Sequence, residues 1–418
     1  MKSKMQLLKN MRHMHRAGMA IAVIILGSLQ WAPDIAVGKA LHAEKKAPVD
    51  AAWRDGYAGD AACAGCHKDQ VASYSHTAHY STSAIAGSNS IAGSLRNESN
   101  VLMIVRPETT SENPGLFFKM EARNDGAYQT AVAGWPGQYQ TKTARMDIVV
   151  GSGVRGQSYL SWQGDELYEL PVSYWTDGHQ WINSPGYKDG SMDFSRAVVP
   201  RCLECHSTYI HQLSANPLSN RYDKASLVVG ITCEKCHGPG KAHIALESAA
   251  KPSAAPAAGV GILNPAKFPR DRQVDLCALC HNGLRGEELA PAFSFVAGQS
   301  LDKYLQPNSG EIAEKPSVHG NQVGLLKKSR CYLSSPGMSC STCHDIHAPE
   351  KEAASYSSRC LTCHLASSCG MFKTGGVKIA ENCVDCHMPV EQTDAVVSET
   401  VGRAIQPKMR SHWIRVYR

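Results

Sequence analysis

Fourteen of the 16 cysteines share one spacing, in which two cysteines stand three positions apart and a histidine follows the second. This pattern, Cys-x-x-Cys-His, occurs seven times, far more often than random placement of 16 Cys and 18 His in 418 residues would give. In chain order, motifs 1 to 7 are Cys63, Cys66 and His67; Cys202, Cys205 and His206; Cys233, Cys236 and His237; Cys277, Cys280 and His281; Cys340, Cys343 and His344; Cys360, Cys363 and His364; and Cys383, Cys386 and His387.

The spacing suits one chemistry best. Two cysteines three positions apart can each form a thioether bond to a vinyl group of the same haem, and the adjacent histidine then binds the iron. Paired Cys-x-x-Cys units also make tetrahedral zinc sites, and exported cysteines also form disulfides, but neither requires a histidine after every second cysteine. The sequence therefore predicts seven covalently bound haem c groups.

The second axial position on each iron decides what the haem does. Two histidine ligands give an electron carrier, whereas an open position can bind a substrate. Outside the motifs and the N-terminal region, eight histidines are candidates for this second, distal position: His76, His79, His179, His211, His243, His319, His347 and His412. Because eight candidates are available for seven irons, no haem is required to be open.

Four of these candidates are the strongest predicted ligands: His243, His319, His347 and His412. His243 follows the turn Gly238-Pro239-Gly240, which can start a short helix. His347 lies three residues after His344, so we expect it to serve a neighbouring haem rather than its own. For His412, which lies in a basic tail, the alternative is a surface residue.

The other candidates are less clear. His76 and His79 lie three residues apart on a predicted helix and share a face, so one ligates an iron while the other bonds a propionate; His76 is preferred as the ligand. His179 lies between Trp175 and Trp181 and is assigned as a ligand, with a substrate-binding role as the alternative. His211 is the weakest candidate.

Two cysteines stand outside the motifs, Cys331 and Cys369. An even leftover pair in an exported protein favours one disulfide across the C-terminal haem cluster. Two buried thiols are the alternative.

Residues 1–40 are typical of a cleaved secretory signal peptide, with a basic start, an apolar stretch and small residues near position 40. The alternative, a membrane anchor, needs roughly 20 apolar residues. Of the net charge of +6, these residues contribute +5. If each ferric haem adds one negative charge, the mature protein carries about −6. We therefore expect a periplasmic protein, and the charge does not support nucleic-acid binding.

Aromatic residues make up 7% of the chain, which is few for a core of this size, so we expect haems to fill the interior. The predicted fold is mainly α, with extensive loops wrapped around a stacked haem core, plus a β-rich insertion of about five strands that includes a hairpin at 159–168. The predicted domains are the signal peptide at 1–40, a first haem-binding segment at 41–96, the insertion at 97–197 and a six-haem cytochrome domain at 198–418.

These motifs and their surroundings resemble a superfamily of multihaem cytochromes c. It includes the tetrahaem cytochrome of ammonia oxidation, octahaem hydroxylamine oxidoreductases and pentahaem nitrite reductases. The resemblance rests on the residues from Cys63 to His79, Cys233 to His243, Cys340 to His347, and Cys383 to Pro389 with His412. It implies closely stacked haem pairs and bis-histidine ligation, with His243, His319, His347 and His412 as distal ligands. The Cys-x-x-Cys-Lys motif of the nitrite reductases and an eighth haem motif are not found in this sequence.

Two functions follow as hypotheses. The first is a periplasmic electron carrier that serves redox partner proteins, such as a membrane quinol oxidase or a terminal reductase, either in solution or peripherally bound to the membrane. The second is a multihaem oxidoreductase that acts on a small nitrogen or sulfur oxyanion at one open haem. The surplus of histidines favours the carrier, and no catalytic residue is assigned.

Overall fold

The computed structural model describes residues 55–96, 98–106, 114–249, 261–283, 286–307, 316, 320–393 and 397–417. These residues belong to one compact unit. The predicted signal peptide lies outside them. Within the described ranges, no helix is long and apolar enough to cross a bilayer.

The helices are short, and most of them adjoin or contain a haem motif. They are α1 Asp60–Ala64, α2 Lys68–Tyr74, α3 Pro200–His206, α4 Cys233–His237, α5 Lys241–Ala249, α6 Arg270–His281, α7 Gln322–Lys327, α8 Arg330–Ser334, α9 Ser357–Cys360, α10 Phe372–Gly375 and α11 Cys383–His387. A helical turn suits the motif because residues three apart lie on one face. Motifs outside the longer helices keep this turn: the N–H groups of His67, His344 and His364 donate to the carbonyl of their first cysteine at 2.9, 3.0 and 2.9 Å.

The insertion begins with a four-stranded antiparallel sheet in the order β2-β3-β4-β5. Its strands are β2 Val101–Val105, β3 Gly115–Arg123, β4 Gly126–Trp135 and β5 Gln138–Met146. The turn between β4 and β5 is Pro136-Gly137, and Gly137 has φ 86°. Proline followed by a residue with positive φ is the signature of a type II turn, so this hairpin is encoded locally.

A second sheet of seven strands has the order β1-β6-β7-β8-β11, with β9 paired to β7 and β10 paired to β9. These strands are β1 Ser83–Ile85, β6 Ile148–Val150, β7 Gly156–Gln163, β8 Glu166–Glu169, β9 Val172–Trp175, β10 Gln180–Asn183 and β11 Arg196–Ala197. Phe118 and Met120 of β3 share one buried cluster with Tyr159 of β7 and Trp181 of β10. The two sheets therefore pack on a common apolar core.

The expectation of a mainly α fold is wrong. Among the described residues, helix accounts for 28% and strand for 29%, in several sheets. The insertion forms more strands than the five expected. Strand pairs also follow motifs 2, 4 and 7: β12 Ser207–Gln212 with β13 Tyr222–Val229, β14 Gly286–Glu288 with β15 Leu305–Pro307, β16 Val390–Gln392 with β19 Lys408–Arg410, and β17 Ser398–Thr400 with β18 Arg403–Ile405. Motif helices of one or two turns leave much backbone unpaired, and short hairpins satisfy its hydrogen-bonding groups.

The hairpin β17–β18 is bound to the insertion by polar contacts. The Asp189 carboxylate accepts hydrogen bonds from the N–H groups of Val401 and Gly402 at 3.0 and 2.9 Å. Asn183 donates its side-chain amide to the carbonyl of Glu399 at 2.6 Å. These contacts fix the start of the C-terminal tail, which carries His412.

Candidate haem-binding cavity

A single cavity of about 3800 Å³ is lined by every cysteine and every histidine of the seven motifs. A pocket for one small ligand typically has roughly 300–1,000 Å³, so this cavity has room for several haem-sized groups. Its other lining histidines are His79, His243, His347 and His412. The structure thus brings residues from four distant parts of the sequence to one enclosed space, and their donor set fits haem c.

Three pairs of imidazole rings face each other across the cavity in nearly parallel planes. His67 and His243 have ring centroids 6.4 Å apart with planes at 20°. The corresponding values are 6.0 Å and 19° for His237 with His347, and 6.2 Å and 23° for His344 with His412. Because a histidine nitrogen binds a metal such as zinc at about 2.0–2.1 Å, two imidazoles on opposite sides of one ion have centroids about 6 Å apart. The separations therefore suit two axial ligands of one iron.

A fourth pair differs in orientation. His79 and His281 have ring centroids 5.8 Å apart, with planes at 87°. The preference for His76 is not supported by this geometry, because His79 lines the cavity and His76 is not among its lining residues. Helix α2 ends at Tyr74, so the helical face that was expected to group the two histidines does not extend to them.

Each pair joins a motif to a histidine from another part of the chain. In three of the four pairs, the second histidine lies close to a different motif: His243 follows motif 3, His347 follows motif 5 and His79 follows motif 1. The prediction that His347 faces a neighbouring motif rather than its own agrees with its pairing to His237. The four pairs therefore interlock motifs 1, 3, 4 and 5.

Hydrogen bonds to Nδ1 orient several of these rings. His237 and His387 donate from Nδ1 to the carbonyl oxygens of Leu263 and Arg415, each at 2.9 Å. A carbonyl can only accept, so Nδ1 carries the proton and Nε2 keeps the lone pair that a metal needs. Such partners fix ring orientation and raise ligand basicity.

Two further motif histidines have different Nδ1 partners. Nδ1 of His206 lies 3.1 Å from the hydroxyl of Thr82. Nδ1 of His344 lies 3.0 Å from a carboxylate oxygen of Glu350, and this carboxylate raises the pKa of His344. The partners of the motif histidines thus range from neutral oxygens to a full negative charge.

Burial favours the neutral, metal-binding form of other rings. It lowers the pKa of His281 to about 4 and that of His412 to about 4. Burial also lowers the pKa of His79 and His237. A histidine must be deprotonated to bind a metal, so these rings are ready to act as ligands at neutral pH.

The cysteines of different motifs lie next to each other. The sulfur atoms of four cysteine pairs are close enough to interact: Cys63 with Cys233, Cys205 with Cys280, Cys277 with Cys340, and Cys360 with Cys383. These contacts link motifs 1 and 3, 2 and 4, 4 and 5, and 6 and 7. Because the cysteines are the attachment points, the contacts bring the edges of the corresponding sites together.

Buried acidic residues inside two motifs hold the cavity wall in place. Glu234, which is 1% exposed, accepts hydrogen bonds from the N–H groups of Ala58, Gly59 and Gly240 at 2.8, 2.9 and 2.8 Å. This carboxylate therefore fastens the segment before motif 1 to motif 3.

The second acidic residue forms a buried ion pair. Glu204 lies 2.5 Å from Arg201 and accepts the N–H of Phe293 at 2.7 Å. Arg201 also donates to the carbonyl of Leu279, inside motif 4, at 2.5 Å. Glu204 and Glu234 are visible inside their motifs, but their distant partners left no signal in the sequence. Glu350 was likewise not recognised.

The remaining predicted site residues lie elsewhere. His179 occupies the exposed turn between β9 and β10, with φ 47°, and is not among the residues that line the cavity. His211 lies in β12, paired with Asp223. The predicted ligand His319 lies outside the described residues.

The expected disulfide does not form in the structure. Cys331 and Cys369 are both free thiols. Burial raises the pKa of the Cys343 and Cys360 thiols, and the neighbouring Cys331 adds a smaller effect in the same direction. The Cys331 thiol therefore lies near the attachment points of motifs 5 and 6.

Comparison with known proteins supports the same cofactor. The family model "Cytochrome c554 and c-prime" matches residues 177–238, which contain motifs 2 and 3. The C-type polyheme cytochrome OmcC of Geobacter sulfurreducens is 26% identical over an alignment of 180 residues. The match covers 36% of this chain and 21% of that protein. The chain thus spans about a fifth of the length of this curated relative. No solved structure matches the present chain.

The two matches support a multihaem c-type cytochrome that transfers electrons. The resemblance noted from the motifs is confirmed at this level.

Proposed function

We propose that the protein is a heptahaem electron relay whose haems 1 to 7 are attached at motifs 1 to 7. The observation that carries this proposal is the set of imidazole pairs around one cavity lined by all seven motifs. When bound, each haem would supply an iron that cycles between ferric and ferrous states. The protein would hold each haem by two cysteines and one histidine, and would exclude water from its faces.

The second ligands follow from the ring pairs. His243 would complete haem 1, His347 haem 3, His79 haem 4 and His412 haem 5. Second ligands of haems 2, 6 and 7 are not assigned from the described residues, and His319 remains the sequence-based candidate. Bis-histidine ligation suits electron transfer rather than substrate binding.

The order of the relay follows from shared segments. His237 and His243 belong to haems 3 and 1, and His344 and His347 belong to haems 5 and 3, so haems 1, 3 and 5 are consecutive. The segment from His67 to His79 connects haem 1 to haem 4.

Contacts among the remaining motifs extend this order. The cysteine contacts add haem 2 beside haem 4, and haem 6 beside haem 7. The tail connects haem 5 to haem 7, because His412 faces His344 while the Arg415 carbonyl accepts from His387. All seven haems then form one continuous network with branches at haems 4 and 5.

The proposed setting is the periplasm, with residues 1–40 as a cleaved signal peptide, because thioether attachment and the resemblance both indicate an exported protein. The partners would be other redox proteins, such as a membrane quinol oxidase or a terminal reductase. The domain division at residues 41–96, 97–197 and 198–418 is retained as part of this proposal, with the insertion as a scaffold beside the cavity.

The test combines mass spectrometry with electron paramagnetic resonance (EPR) of the purified holoprotein. The proposal requires an added mass of seven haems and low-spin signals from at least four irons. Fewer than seven attached haems would contradict the count. A high-spin iron that binds cyanide or nitrite, with turnover of a small nitrogen or sulfur oxyanion, would instead support the oxidoreductase hypothesis.

A further inference from the structure

Among the four motif histidines whose Nδ1 partner is described above, His344 of motif 5 is the one that faces a carboxylate. The acceptors for His237 and His387 are neutral carbonyl oxygens, and that for His206 is a hydroxyl. His344 instead faces a carboxylate, with Nδ1 3.0 Å from Oε1 of Glu350. Its proximal ring is thus held by a charged partner, while the same ring faces His412 at 6.2 Å.

The carboxylate itself is held in place. Tyr356 donates its hydroxyl to the other carboxylate oxygen of Glu350. The ring of Tyr356 also contacts the ring of His344, with centroids 5.3 Å apart. Glu350 therefore divides its negative charge between two donors, and removal of one donor leaves more of that charge for the other.

We propose, on the basis of the haem assignment above, that Glu350 is a positioning residue that lowers the reduction potential of haem 5 relative to that of haem 3. A carboxylate at the outer nitrogen makes the imidazole a more basic ligand, and a charge-assisted hydrogen bond is roughly twice as strong as a neutral one. A more basic ligand stabilises the ferric iron more than the ferrous iron. Haem 3, whose His237 bonds a neutral carbonyl, lacks this effect.

The position of haem 5 gives this difference a consequence. Haem 5 neighbours haem 4 through Cys277 and Cys340, haem 3 through the segment His344–His347, and haem 7 through the tail. A low-potential haem at this branch would be the last of the group to be reduced. It would therefore separate the electrons held by haems 1 and 3 from those held by haems 6 and 7.

The test is an EPR-monitored redox titration of the holoprotein at fixed pH, comparing wild type with Glu350→Gln. Replacing a charged acceptor by a neutral one roughly halves the strength of the hydrogen bond at Nδ1. Because Glu350 is 65% exposed, solvent weakens the effect. We expect haem 5 to become about three- to tenfold easier to reduce, and a tenfold change is 59 mV for one electron.

Three further variants separate this role from general effects. Tyr356→Phe keeps the carboxylate and the ring but removes the competing hydroxyl, so it should shift the same haem in the opposite direction. Glu350→Asp should restore most of the wild-type potential. Glu352→Gln removes a charge from an exposed position two residues away and should leave the seven potentials unchanged.

The outcomes are distinct. One midpoint that rises in Glu350→Gln and falls in Tyr356→Phe supports the proposal. Unchanged midpoints, or an equal shift of all seven haems, overturn it while leaving the relay intact. If Glu350→Gln fails to assemble, Tyr356→Phe decides alone: a lower midpoint potential of haem 5 supports the proposal, and an unchanged or higher one overturns it. A wild-type protein without seven haems would refute the relay itself, and mass spectrometry shows that before any variant is made.

Discussion

Replacement of His79 by alanine tests the ligand assignment most directly. His79 is the ring that faces His281 at 5.8 Å, and it lies twelve residues after the histidine of motif 1. Cys277 and Cys280 attach haem 4 covalently, so the haem should stay in place when its second ligand is lost. We therefore expect one iron in seven to change from low-spin to high-spin, with the other six unaffected.

The assay is integrated EPR of the oxidised protein, with titration by cyanide. The variant should gain one high-spin iron for each protein molecule and should bind one cyanide more than wild type. Added imidazole should occupy the vacated position and restore the low-spin signal. The matched control is His76→Ala, three residues away, which should leave both measurements unchanged because His76 does not line the cavity.

Two results would refute the reasoning. If His76→Ala produced the high-spin iron and His79→Ala did not, the ring pair seen in the structure would not represent iron ligation. If His79→Ala opened several irons, the haems would not be held as independent ligand pairs. Mass spectrometry of each variant should still find seven attached haems, which excludes simple loss of a cofactor.

Three other predictions concern the contacts that hold the cavity wall. Glu234→Gln removes the negative charge that three N–H groups face and turns one of the two acceptor oxygens into an NH2 donor. It should cost about 2–4 kcal/mol, measured as a lower guanidinium midpoint, whereas exposed Glu381→Gln should not change that midpoint. Arg201→Met leaves the buried carboxylate of Glu204 without its cationic partner and should lower the free energy of unfolding by about 3–5 kcal/mol. The double variant Arg201→Met with Glu204→Gln should lose less, because no unpaired charge is left buried. Equal losses in the single and double variants would contradict the ion pair. Asp189→Asn should weaken the β17–β18 hairpin by about 1 kcal/mol, seen as faster amide exchange at Val401 and Gly402, and unchanged exchange would show that the carboxylate does not hold the hairpin.

The sequence predicted the chemistry better than the fold. Thioether attachment requires a fixed spacing of cysteines and an adjacent histidine, so each motif can be recognised locally. His243, His347 and His412 could also be proposed from their places after motifs or in the tail, and the structure pairs each with a motif histidine. Which ring faces which motif depends on contacts over long sequence separations, and no local pattern encodes those.

Two errors have clear physical causes. His76 and His79 were expected to share a helical face, but α2 ends at Tyr74, so the helical periodicity did not apply to them. The fold class was wrong because the backbone between the short helices was expected to form loops. Much of it instead pairs in hairpins such as β12–β13 and β14–β15.

The distribution of buried apolar side chains shows what the haems must contribute to the fold. Among the described residues, the insertion supplies all members of a cluster of twelve buried residues, including Phe118 and Tyr159. Among those described from Ser339 to Tyr417, by contrast, the buried apolar side chains are Val384 and Ile405, although this part holds motifs 5, 6 and 7. Two such side chains cannot offset the conformational entropy of ordering about 80 residues. The apolar faces of the bound haems must therefore serve as the core of this part, so folding there depends on haem attachment, whereas the insertion can fold on its own side chains.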